Sequence, residues 1–165
     1  MFIERFSGTC GKRVSYLIVS EDEAAVVDPD GSVPERYVRA ARRHGASLVA
    51  ILDTRLEIGD AAPHRELVRR TGAMLYVWDE IETDVPHQGV DGDEMILIGS
   101  SLVVAMETPE LLPETMSWYV DGEDQRALFA GDASVEALAQ VVPYLPGDTL
   151  ILPAGGPIPV PRAKP

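Results

Sequence analysis

A chain of 165 residues, 45% of them apolar, can build one domain with a packed core, which excludes a disordered polymer. Its 14 Lys+Arg against 27 Asp+Glu leave a net charge of −13, which opposes partners held through phosphates, so no nucleic-acid binding is expected. No run reaches the roughly 20 apolar residues of a membrane span, and Met1–Gly8 lacks the basic start and apolar centre of a secretory signal. A cytoplasmic protein with no membrane partner is expected.

In chain order, "VSYLIVS" (14–20) and "EAAVVDP" (23–29) are predicted strands turning through the acidic "SEDE". Ser32-Val33-Pro34-Glu35 has the form of a capping box, and the helix it opens carries Tyr37, Val38 and Ala41 on one face before stopping at Gly45. "ASLVAILD" (46–53) is nearly all apolar, which predicts a strand buried on both faces. Asp60 is placed to cap a second helix, "AAPHRELVRR", closed by Gly72, and "AMLYVW" (73–78) is another buried strand.

A polar connector (79–93) leads to the predicted pairs "EMILIG" with "LVVAME" and "MSWYVD" with "RALFAGD", the second turning at Gly122-Glu123-Asp124. A short helix from Ser134 to about Val142 and a last strand, "DTLILP", follow. The division is a domain over 1–156 and a Pro-rich tail over 157–165, "PIPVPRAKP", which can neither continue a helix nor enter a sheet centre. Strand pairs at both ends of the order with helices between them predict an α/β (α+β) fold of two sheets with helices outside.

Chemistry-bearing residues are few. The single cysteine, Cys10, forbids an internal disulfide and a thiolate zinc cluster. His44 falls at a helix end, His64 in a helix beside arginines and His87 in the polar connector, where surface or capping duty is expected of each. "GTCGK" is too short for a phosphate-binding loop, and neither "GDAS" nor "GSS" forms a nucleophile elbow.

The stretch "LDTRLEIGD" (52–60) carries a family resemblance. With "AAVVDP" before it and "DGDEMILIG", "METPELLPETMSWYV", "LFAGD" and "LILPAGG" after it in order, the chain resembles the metallo-β-lactamase superfamily over residues 10–156. It looks most like the persulfide dioxygenase and glyoxalase II branch. The resemblance implies a metallo-β-lactamase-like αββα sandwich, in a trimmed form, with an active-site cleft at the ends of the strands.

The resemblance also implies a histidine-rich metal site, and here this sequence departs from the family. After Asp53, Arg55 and Glu57 stand where the two leading histidines belong, Gly59 where the loop aspartate belongs, and Asp60 where its last histidine belongs. Leu111, beside Glu110, and Gly155 occupy the two later histidine positions, and only the strand-end Asp132 is kept. The family's metal makes a nucleophilic water or activates dioxygen, and zinc or iron wants imidazole or thiolate donors that this cleft lacks.

The expectation is therefore a non-catalytic member without a cofactor, a binding or regulatory module. Its partner would be a protein or a small anionic ligand, with homodimerisation open. The guanidinium of Arg55 is expected to replace the metal's charge by pairing with Asp132 and with Glu57 or Asp60. The alternative is a hydrolase or dioxygenase-like enzyme with a carboxylate metal site built from Glu57, Asp60 and Asp132, helped by Glu110 or Glu114.

Overall fold

The strand Val14–Ser20 decides the layering. All seven of its residues are buried, so neither face of the strand meets solvent. Leu17 and Val19 point into one core with Tyr37 and Leu67, while Tyr16 and Ile18 point into another with Trp118 and Phe129. Such a strand belongs to a sheet with helices on one side and a second sheet on the other.

The computed structural model describes residues 1–8, 13–30, 33–55, 63–108 and 115–155 and shows that arrangement. One sheet has six strands in chain order: β1 (Phe2–Ser7), β2 (Val14–Ser20), β3 (Glu23–Val27), β4 (Ser47–Leu52), β5 (Met74–Trp78) and β6 (His87–Val90). The other has five: β7 (Met95–Ile98), β8 (Ser101–Glu107), β9 (Met116–Asp121), β10 (Arg126–Gly131) and β11 (Leu150–Pro153).

The helices α1 (Glu35–Arg43) and α2 (Pro63–Thr71) cover the first sheet through Tyr37, Ala40, Ala41 and Leu67. The helix α3 (Val135–Val141) covers the second, packing Leu138 and Val141 on Leu128, Ala130 and Ile151. None of the described helices is long and apolar enough to cross a membrane.

The parallel pairs position the site. β3 runs parallel to β4, so Val27 and Leu52 lie side by side and both chains leave the sheet at one edge. β10 runs parallel to β11 and delivers Gly131 beside Pro153. The two edges are joined where the Met116 N–H donates to the Thr54 carbonyl at 3.0 Å and the Val14 N–H to the Ala154 carbonyl at 2.5 Å.

The expected hairpins and helices are present, with some differences. Phe2–Ser7, assigned no element from sequence, is an edge strand antiparallel to β2. His87 opens β6 rather than lying in a loop, its ring Nδ1 2.8 Å from the Val85 carbonyl oxygen. The α1 cap is Pro34 with no side-chain hydrogen bond, and Ser32 of the expected box lies outside the described residues. The helix expected from Ser134 begins at Val135, with Ser134 as its cap, its hydroxyl accepting from the Ala137 N–H at 3.1 Å.

Candidate functional site at the strand ends

β3 ends in Asp28, β4 in Asp53-Thr54-Arg55 and β10 in Gly131-Asp132, while the N-terminus of α2 brings His64. Asp28 and Thr54 form the centre. The Asp28 carboxylate accepts from the Thr54 N–H at 2.8 Å and from the Thr54 hydroxyl at 2.9 Å. The Asp28 backbone adopts a left-handed φ of 48°, a conformation that aspartate tolerates better than most residues. Gly131, at φ 56°, lies so close that a Cβ there would sit 2.3 Å from the Thr54 hydroxyl oxygen.

Burial, then the negative charge of Asp53, push the Asp28 carboxyl up to about 7, with Asp132 adding to the rise and the Thr54 hydrogen bonds opposing it. Asp53 is itself buried, and its carbonyl accepts from the Trp118 indole N–H at 3.3 Å. Its carboxylate lies 3.4 Å from Nδ1 of His64, which is 2% exposed. A cavity of ≈ 20 Å³ between Arg13, Asp28, Asp53, Arg55 and His64 is about the size of one water molecule.

Two sequence expectations change here. Asp132 is half-exposed, with 46% of its side chain open to solvent. The guanidinium that meets it is Arg13, at 3.5 Å, whereas Arg55 makes no ion pair with Asp132 and stands exposed on the cavity rim. Arg13, the residue before β2 and far away in sequence, reaches the strand end where Arg55 was expected. His64 is not on the solvent side of its helix. It shares the inner face with Leu67, three residues on, a spacing visible in the sequence beneath the distraction of the neighbouring arginines. His44 does sit at its helix end, 3.4 Å from Glu4.

Of the remaining candidates, Glu57, Gly59, Asp60, Glu110, Leu111 and Glu114 lie outside the described residues, as do Cys10 and the tail 157–165. Gly155 follows β11 at the same edge as Gly131 and offers no side-chain donor. Asp28, Arg13 and His64 are site residues that sequence reasoning passed over.

Comparison with known structures decides the fold. A metallo-β-lactamase from Staphylococcus aureus superposes with a TM-score of 0.80 over 94% of this chain at 22% identity, and ETHE1 from Myxococcus xanthus with 0.81 over 95% at 19%. The chain has the metallo-β-lactamase fold. It spans 56% of the staphylococcal protein's length and 76% of the Myxococcus protein's. A third metallo-β-lactamase-fold structure, the B3 metallo-β-lactamase BLEG-1, is matched over 96% of this chain and 93% of its own at 17% identity, with a TM-score of 0.76. No protein-family model matches the sequence.

A metallo-β-lactamase fold implies a metal site, and the donors can be tested against it. Zinc sites want three or four nitrogen, sulfur or carboxylate donors converging at about 2.0–2.3 Å. Among the described residues no three of His, Cys, Asp and Glu gather to hold an ion. Asp28 is engaged by Thr54, Asp53 by His64 and Asp132 by Arg13, and Arg55 can donate only hydrogens. The described donor set does not fit a metal.

His64 gives a direct check on this packing. Replacing it by leucine keeps the apolar contact with the helix face but removes the imidazole from Asp53. Leaving a buried carboxylate with one partner fewer is expected to cost about 1–3 kcal/mol in urea denaturation. A variant as stable as the parent would mean the Asp53–His64 contact carries nothing.

Proposed function

We propose that this metallo-β-lactamase-fold chain is a non-catalytic binding or regulatory module, without a cofactor, whose strand-end site is held by its own charges. The observation that carries the reading is that every described carboxylate at the site already has an intramolecular partner. A cation entering there would have to displace the Thr54 hydrogen bonds of Asp28, the His64 contact of Asp53 or the Arg13 pair of Asp132. Arg13 fills the charge-balancing role, and its pair with Asp132, half-exposed on both sides, is worth under about 1 kcal/mol. The neutral form of Asp28, favoured by burial and the neighbouring acids, lowers the negative charge further. Arg55, exposed and without an ion pair among the described residues, is the cation left to read a protein or small anionic ligand.

The second reading is a hydrolase or dioxygenase-like enzyme with an oxygen-only site from Glu57, Asp60 and Asp132. Such donors suit Mg²⁺, Mn²⁺ or Ca²⁺, and the exposure of Asp132 keeps it reachable. Thermal unfolding with each ion separates the two. A site filled at a hundredfold excess over its Kd stabilises by about 2.7 kcal/mol, several degrees for a chain of this size. Under the first reading Mn²⁺, Mg²⁺, Ca²⁺ and Zn²⁺ shift the midpoint by less than about 1 °C. A rise of about 5 °C or more with one ion, abolished by Asp132→Ala, would establish the second.

A further inference from the structure

The two outer helices of the first sheet treat their arginines differently. On α2, Arg65 forks onto Asp84, Arg69 binds Glu66, and Arg70 binds both Glu66 and Glu35. On α1, Arg36 reaches Asp30 and the Tyr37 hydroxyl, and Arg43 reaches Glu4 at 2.8 Å. The side chains of Arg39 and Arg42, both residues exposed, have no hydrogen bond or ion pair with any described residue. In a chain with 27 acidic side chains for 14 basic ones, two neighbouring arginines unpaired among the described residues mark a local reversal of charge.

The ground around them is hollowed. On one side of α1 a groove of ≈ 600 Å³ is lined by Phe6, Glu4 and the arginines 36, 39, 42 and 43. On the other side a hollow of ≈ 370 Å³ has Val38 and Leu48 among its walls, and Arg42 borders both. Each hollow thus offers apolar surface beside a guanidinium that no described residue engages.

We propose that this face of α1 binds an extended, carboxylate-rich protein segment that crosses the helix. Its acidic side chains meet Arg39 and Arg42, and flanking apolar side chains rest against Phe6 on one side and Val38 and Leu48 on the other. Guanidinium forks match carboxylates bidentately. A strand rises about 3.3 Å per residue with side chains on one face two residues apart, so one short stretch can reach both arginines. Two hollows astride a helix suit a crossing chain better than one compact small molecule.

A nucleic acid is disfavoured because its charge would face a molecule of net −13 over its whole length. The same overall charge repels a short acidic peptide less, since repulsion from beyond about 8 Å is screened at physiological salt. The inference names a surface separate from the strand-end site and rests on the preceding reading only in treating the chain as a binding module. Metal uptake would overturn that reading and leave this surface untouched; failure to bind peptide would do the reverse.

The test is fluorescence anisotropy of the whole chain, in 150 mM NaCl, with a fluorescein-labelled peptide of leucines flanking a run of glutamates. Saturable binding is expected, weakened at least tenfold by the double reversal Arg39→Glu with Arg42→Glu. It should be kept within about threefold by the double lysine variant, which preserves the charge. Arg69→Glu, equally exposed but already paired, should leave binding within twofold. No saturation at millimolar protein, an equal loss in Arg69→Glu, or tighter binding of a labelled single-stranded oligonucleotide than of the peptide would each overturn the proposal.

Discussion

Gly131→Ala is expected to destabilise the protein by about 2–5 kcal/mol, the sum of two separate costs. A left-handed φ of 56° penalises any Cβ by about 1–2 kcal/mol. The new methyl would also sit 2.3 Å from the Thr54 hydroxyl oxygen and 2.7 Å from its Cβ, in a buried place, and overpacking of that kind costs about 1–3 kcal/mol more. Gly45→Ala separates the two, because Gly45 has φ 75° and nothing within 4 Å of its Cβ position. In urea denaturation Gly45→Ala should cost only the backbone part and Gly131→Ala clearly more. Equal losses would mean that the strand end moves freely away from Thr54, and the tight Gly131–Thr54–Asp28 contact described here would be wrong.

The second large effect is a dependence on pH that runs opposite to that of a salt-bridged carboxylate. Asp28 keeps its proton to about pH 7 in the folded state, against 3.8 for the ordinary group. Between those values the folded chain holds a proton that the unfolded chain has released, so stability falls as pH rises. The contribution is complete below about 3.8 and lost above about 7. Three pH units correspond to about 4 kcal/mol; Asp28 is enclosed by Thr54 and Asp53 but keeps intermediate solvent exposure, which brings the expectation down to about 2–3 kcal/mol.

Asp28→Asn should remove this slope. Asparagine retains an oxygen to accept from Thr54, tolerates φ 48° and carries no charge to desolvate. The variant is expected to match the parent near pH 4 and to exceed it by about 2 kcal/mol at pH 8 in denaturant titrations. An asparagine variant with the parent's slope, or one weaker at pH 8, would show that the folded protein does not hold the Asp28 proton up to about pH 7.

Most of the sandwich was legible because its strands alternate or run apolar over four or more residues. "VSYLIVS", "MSWYVD" and "RALFAG" coincide with β2, β9 and β10 to within a residue. β1 and β6 were missed for local reasons. "FIERFS" places Phe2 and Glu4 on one face and Ile3 and Arg5 on the other, so neither side reads as apolar, and "HQGV" is four residues long with a glycine inside. Their strand form comes from hydrogen bonding to β2 and β5, which is tertiary.

The site was legible only in part. The vicinity of Asp53, Arg55 and Asp132 followed from the order of landmarks, because strands that end at one edge bring their last residues together. Which guanidinium would meet Asp132 did not follow. Arg55 is near in the loop order, but Arg13 is the one set beside the ends of β10 and β11, held there by the Val14 N–H donating to the Ala154 carbonyl at 2.5 Å. The burial of His64 was written in its spacing to Leu67 and was outweighed by the charges of Arg65, Arg69 and Arg70 around it. Asp28 looked like the end of a strand. Its interest arises from enclosure next to Asp53, which is a property of the folded chain alone.

A strand-end site held by the chain's own charges should take up no metal. Mass-spectrometric metal analysis decides this, on protein purified without chelator, exposed in turn to Zn²⁺, Fe²⁺ and Mn²⁺, then desalted. Less than about a tenth of an equivalent is expected in every case, since the described carboxylates are already engaged. Close to one equivalent of any of these ions, lost in Asp132→Ala, would contradict it and place a working metal centre at the strand ends.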